Sequence, residues 1–228
     1  MELIEIMEAL KGLGNERTKK QYLNYGARED LLYGVSIKDM KPIAKQINHN
    51  NALAMQLFDT ENYDAMYLAG MIVNPKEMTK EIFTHWMSKA YFYMIGDYIV
   101  AVSLAETAFA LELAAQWVES DEELKQSAGW NTYNWVLGVR KDSEIDKNDI
   151  LNMLHKAKAE IGSAFDRTKH AMDLFITAVG ISYKPLHAEA METAAWISEV
   201  YPAASAEKSI KKAVAQNRIG FKRKNVRC

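Results

Sequence analysis

The chain has 228 residues, 49% apolar and 25% charged, with one cysteine, Cys228, as the last residue. This is the balance of a folded globular protein. It excludes disorder over the whole length, an internal disulfide framework and a cysteine-built zinc site, and it fits a reducing cytoplasm. The net charge of −2 conceals an asymmetry: residues 206–228 carry eight Lys/Arg against one acid, residues 11–45 eight against four, and residues 46–139 four against twelve.

The N-terminus has Glu2, Glu5 and Glu8 where a signal peptide would be positive, and Leu3, Ile4, Met7 and Leu10 form a helical stripe over about 2–12. Helices are expected next at 16–25 and 36–48. Ser36, with Asp39 three residues on, marks the start of the latter, and Pro42 inside it is expected to kink it or move its start. Further helices are read at 51–59, 62–73, 79–90 (behind Thr79) and 93–107. The longest apolar stretch, about Tyr98 to Ala105, is far short of the ~20 residues of a spanning helix, so no membrane partner is expected. The remaining helices are read at 108–119, 121–137, 147–161 (behind Asp146), 166–181, 185–199 and 206–217. No segment shows convincing period-2 alternation, so the expected class is all-α.

An internal repeat organises these helices. Leu53-Ala-Met-Gln-Leu-Phe-Asp-Thr60 aligns with Leu113-Ala-Ala-Gln-Trp-Val-Glu-Ser120, and the helices that follow reach Ala69-Gly70 and Ala128-Gly129. With a helical hairpin between the copies, the unit is about 30 residues. One such pair cannot bury its own apolar face, so the pattern implies a solenoid of stacked helix pairs with a concave groove. The expected organisation is one helical-repeat domain over 1–205, followed by a basic C-terminal helix and tail over 206–228.

Several chemistries are missing. There is no Walker loop and no HExxH, and Gly12-Leu-Gly14 lacks the context of a dinucleotide site. His187-Ala-Glu189 has no partner cysteines, and the five histidines are scattered. No metal and no cofactor are expected. The unusual stretch is Ala90-Tyr-Phe-Tyr-Met-Ile-Gly-Asp-Tyr98, in which Asp97 interrupts an apolar helix and Tyr93 lies four residues before it on the same face. Asp97 reads either as a structural hydrogen-bonding group or as a carboxylate beside an aromatic face, able to stabilise a cation. Trp130 and Trp135 read first as core, with ligand stacking as the alternative.

The segments Tyr25-Gly-Ala-Arg-Glu29, Gly34-Val-Ser-Ile-Lys-Asp-Met-Lys-Pro-Ile-Ala-Lys45, Asp64-Ala-Met-Tyr-Leu-Ala-Gly70, Ala128-Gly-Trp130, Phe175-Ile-Thr-Ala-Val-Gly180, Lys184-Pro-Leu186 and Lys222-Arg-Lys-Asn-Val-Arg-Cys228 resemble the DNA alkylation repair enzyme family. The resemblance implies HEAT-like repeats, a basic groove for double-stranded DNA that is alkylated or distorted, and, in active members, cleavage of the glycosidic bond of N3- or N7-alkylated purines. It implies that Asp97 is the catalytic carboxylate, with Tyr93 in place of a family Trp, Phe175 in place of a second Trp and Ser127 where an Arg is expected. Phe175, Ser127 and Trp130 are the expected lesion-flanking residues. Lys41, Lys45, Lys184, Lys222, Arg223, Lys224 and Arg227 are the expected phosphate contacts. A lost Arg and weaker aromatic faces bear on excision rather than on fold. Three functions follow: a DNA N-glycosylase, a non-catalytic binder of damaged or branched DNA, and a helical-repeat scaffold for another protein.

Overall fold

The computed structural model describes residues 1–223; Lys224 and Arg227 lie outside the described residues. Among the described residues all regular structure is helical. The elements are α1 Leu3–Leu13, α2 Glu16–Asn24, α3 Ile37–Ile47, α4 Asn51–Asp59, α5 Tyr63–Ile72, α6 Lys80–Ser88 and α7 Tyr93–Ile95. A π-helical turn, Gly96–Val100, continues α7 into α8 Ala101–Leu104. There follow α9 Ala110–Val118, α10 Glu123–Val139, α11 Lys147–Glu160, α12 Asp166–Ser182, α13 His187–Val200 and α14 Ala206–Ala215.

The starts follow side-chain chemistry. Ser36 Oγ accepts from the Asp39 amide at 3.2 Å, Thr79 Oγ1 from Ile82 at 3.4 Å, and Asp146 Oδ1 from Asn148 at 2.8 Å. Each answers a first-turn amide that has no partner inside its helix. Asn15, Asn50 and Asn62 cap α2, α4 and α5 in the same way. Pro42 lies inside α3, whose start stays at Ile37 behind the Ser36 cap.

The chain forms two compact units, the first over Met1–Ala108 and the second beginning at Phe109. In the first unit α5 packs against α3, α4 and the π turn. Its core stacks Phe58 on Trp86 with ring centres 4.1 Å apart, and sets Tyr63 edge-on to Tyr22 and Phe92. In the second unit α12 packs against α10, α13 and α14. Its core places Phe175 5.3 Å from Trp130 and 5.9 Å from Tyr133.

The division between the compact units falls after Ala108. The helix beginning at Ala206 is an integral wall of the second unit: Ile210 is fully buried, and it occupies the space left by Gly180 of α12, where a Cβ would overlap it. The helix expected at 206–217 is present as α14, and its apolar face is covered by α12.

Each unit contains a buried carboxylate that ties a loop to a helix. Asp64 of α5 is fully buried and accepts the amides of Tyr33, Gly34 and Val35 at 2.6, 3.0 and 2.8 Å. Burial pushes its carboxyl above the ordinary range, and the three amides pull it back. Asp173 of α12 accepts the Ser205 amide at 3.0 Å, the Ser205 hydroxyl at 2.7 Å and the Ala206 amide at 2.9 Å, and so closes the N-terminus of α14. An acceptor with full negative charge suits a helix N-terminus, where the peptide dipoles point their positive ends.

Candidate nucleic-acid interface

Asp97 sits on the π turn of the first unit and is 1% exposed. In that turn the Ala101 amide donates to the Gly96 carbonyl, five residues back. The register is thus i, i+5 at this turn, and half-buried Tyr93 lies edge-on to Phe92 at 6.1 Å and to Tyr98 at 6.4 Å between ring centres. The widened turn begins at Gly96, between Tyr93 and Asp97, and no residue type in the sequence announces it. Tyr98 itself is 36% exposed.

Ser127, Trp130 and Phe175 belong to the second unit, and all three are fully buried. Trp130 and Phe175 pack on each other and form the core between α10 and α12, so the reading of Trp130 as core holds. A lesion-flanking role for either ring would require that core to open, because neither has a free face against which a base could stack. Ser127 lies on the interior side of α10, where the Asn131 side chain donates to its carbonyl at 3.2 Å. A guanidinium at this position would need its five donors satisfied inside a packed core.

The cations fall into two groups. Lys41 and Lys45, four residues apart on α3, are exposed and have no acidic partner among the described residues, and the same holds for Lys184 on a short 3-10 turn. Two basic groups near α2 and α3 are instead spent on neighbours, Lys19 on Glu29 at 3.3 Å and Arg28 on Asp30 at 2.8 Å. Lys222 is likewise engaged: it pairs with Asp142 at 2.8 Å, donates to the Leu137 carbonyl at 3.0 Å and lies 5.7 Å from the centre of the Tyr183 ring. It holds the C-terminal segment to α10, which is a different task from the expected phosphate contact. Arg223 is exposed, with its guanidinium 4.9 Å from the centre of the Trp135 ring. Among the described residues no helix is long and apolar enough to cross a membrane.

Paired helices throughout the described residues, with a buried aspartate on a π turn and exposed cations that have no acidic partner among those residues, define a class that similarity to known proteins makes specific. The chain belongs to the DNA alkylation repair enzyme family, whose model matches residues 6–215. Uncharacterised proteins of Listeria monocytogenes and Listeria innocua are each 30% identical to it over 196 residues, covering 84% of this chain and 84% of theirs. It is also similar to a solved structure described as "a new family of proteins related to the HEAT-like repeat DNA glycosylases with affinity for branched DNA structures". That structure is 45% identical, with a TM-score of 0.93 over 100% of both chains. The architecture of this chain is accordingly a HEAT-like repeat.

Proposed function

We propose that this protein binds DNA, preferring branched or otherwise distorted duplexes, and does so without releasing bases. One observation carries the second half. The positions where the family resemblance calls for an arginine and a second aromatic face hold Ser127 and Phe175, both fully buried. A glycosylase must stabilise an oxocarbenium-like sugar and a departing base, which needs charge and aromatic surface in contact with the nucleotide. Asp97, itself 1% exposed, does not meet that need alone. Supporting the first half are the family membership, the branched-DNA affinity stated of a structure 45% identical, and the exposed cations Lys41, Lys45, Lys184 and Arg223, which have no acidic partner among the described residues. These cations act by displacing counterions condensed on phosphates, and such binding weakens steeply with salt.

The test measures two quantities on the same preparation. Fluorescence anisotropy between 50 and 200 mM salt should show tighter binding to a four-way junction than to a continuous duplex. Replacing Lys41, Lys45 and Lys184 by Gln should reduce the log–log salt slope by about 0.9 for each lost phosphate contact. Chromatography of methylated DNA after incubation should show no released 7-methylguanine or 3-methyladenine. Release by the wild type that Asp97→Asn abolishes would overturn the non-catalytic reading in favour of excision. Equal affinity for junction and duplex would remove the preference.

A further inference from the structure

The second unit holds a cavity of about 500 Å³ between α10, α12, α14 and residues 218–223. Its floor is the apolar side of α12, including Leu174 and Ile181, and its wall presents three cations, Lys212, Arg218 and Arg223. None of the three has an acidic partner among the described residues. Both guanidiniums are held by aromatic faces, Arg218 at 5.1 Å from the centre of the Phe221 ring and Arg223 at 4.9 Å from that of Trp135. A guanidinium resting on a ring keeps its N–H edge free for an oxyanion. Phe221, at the lining, is 55% exposed.

The backbone marks this as a built site rather than a gap beneath a frayed end. The Arg223 amide donates to the Gly138 carbonyl and the Gly220 amide to the Ile181 carbonyl, both at 2.7 Å, so the segment carrying two of the cations is fastened to α10 and α12. Lys212, on α14, and the two arginines, on the fastened segment, therefore face the cavity from separately anchored elements.

We propose that this cavity takes one unpaired nucleotide of a DNA strand, with its phosphate on Lys212, Arg218 and Arg223 and its base against Phe221. The volume lies within the range of small-molecule sites, roughly 300–1,000 Å³. Cations beside an exposed aromatic ring are the pattern by which proteins hold single-stranded nucleic acid. A base inside a continuous stack reaches such a cavity only at the cost of unpairing, and a nucleotide at a junction or strand end has already met that cost. The inference rests on the DNA-binding reading above and gives it a reason for branch preference.

The experiment is a titration of the full chain, followed through the Thr177 methyl resonance, with thymidine 5′-monophosphate, thymidine and inorganic phosphate in parallel. The nucleotide should shift the resonance saturably, with thymidine and phosphate each at least about tenfold weaker, since each lacks half of the contacts. Lys212→Ala and Arg218→Ala should each weaken the nucleotide by about tenfold or more, the usual result of losing one charge-assisted contact. Circular dichroism establishes that each variant is folded. The inference is overturned by the absence of a saturable shift with the nucleotide. It is also overturned by a shift that survives the Lys212→Ala/Arg218→Ala double variant, or by phosphate alone matching the nucleotide. Junction binding measured on the same wild-type protein separates the two claims. Protein that binds junctions but ignores the nucleotide overturns the pocket alone. Protein that ignores junctions overturns the DNA-binding reading, and the titration still decides the pocket.

Discussion

The pair α4–α5 in the first unit and the pair α9–α10 in the second are built to one plan. Leu53, Ala54, Leu57 and Phe58 are buried, as are Leu113, Ala114, Trp117 and Val118, while Gln56 and Gln116 are exposed. At the turns Thr60 Oγ1 accepts the Asn62 amide and Ser120 Oγ the Glu122 amide, both at 3.2 Å. The pairs part company at the aligned glycines. A Cβ on Gly70 would lie 2.8 Å from Ile99 Cγ2, a side chain of the π turn, whereas one on Gly129 would lie 2.8 Å from the Val118 amide nitrogen and 3.0 Å from the Ala114 carbonyl oxygen, the backbone of its own partner helix. The first pair spends its small residue on a neighbouring element and the second on closing the pair itself. A repeat in sequence therefore specifies the buried stripe and the turn, and leaves open what each stripe meets.

The two loop anchors allow the sharpest test of how far the units are alike. Asp64→Ala should destabilise the protein by about 3–4 kcal/mol, because it strands three amides of which those of Gly34 and Val35 are buried. Asp173→Ala should cost about half as much, since exposed Ser205 can hydrate its amide and hydroxyl. Urea denaturation of both variants decides it, and equal losses would mean that the two anchors are equivalent despite their different exposure.

The glycines come next. Gly129→Ala should cost about 2–3 kcal/mol, and Gly70→Ala about 1 kcal/mol, because backbone cannot step aside and Ile99 can adopt another rotamer. The reverse order in thermal melts would place the tighter interface in the first unit.

The smallest effect is confined to the second unit. Burial, with the Arg167 charge adding to it, holds the His170 pKa below its ordinary value. The unfolded chain then takes up a proton as pH falls below about 6.5 while the folded chain still resists it. His170 therefore contributes stability that is present above that value and is lost as pH falls through its folded pKa. His170→Gln should flatten the acid side of the stability–pH curve by less than about 1 kcal/mol, in keeping with a half-exposed group. An unchanged curve would assign the acid sensitivity elsewhere.

The sequence by itself determined the all-helical class, nearly every helix, the caps at Ser36, Thr79 and Asp146, and the repeated pair, because each depends on residues within one or two turns of one another. The family resemblance, too, was carried by short segments in order. Only the tertiary structure decided the rest. The π turn at Gly96–Val100 changes the register around Asp97 without any residue type to announce it. Phe175 and Trp130 could have faced solvent or core, and their burial depends on α10 meeting α12. The basic segment after residue 205 could have been a free tail, and Gly180 and Asp173, more than 20 positions earlier, instead make it a wall. The cavity brings Thr177, Lys212, Arg218 and Phe221 together from separate elements. Helices follow from local periodicity, and sites from which stripes meet, which no local pattern encodes.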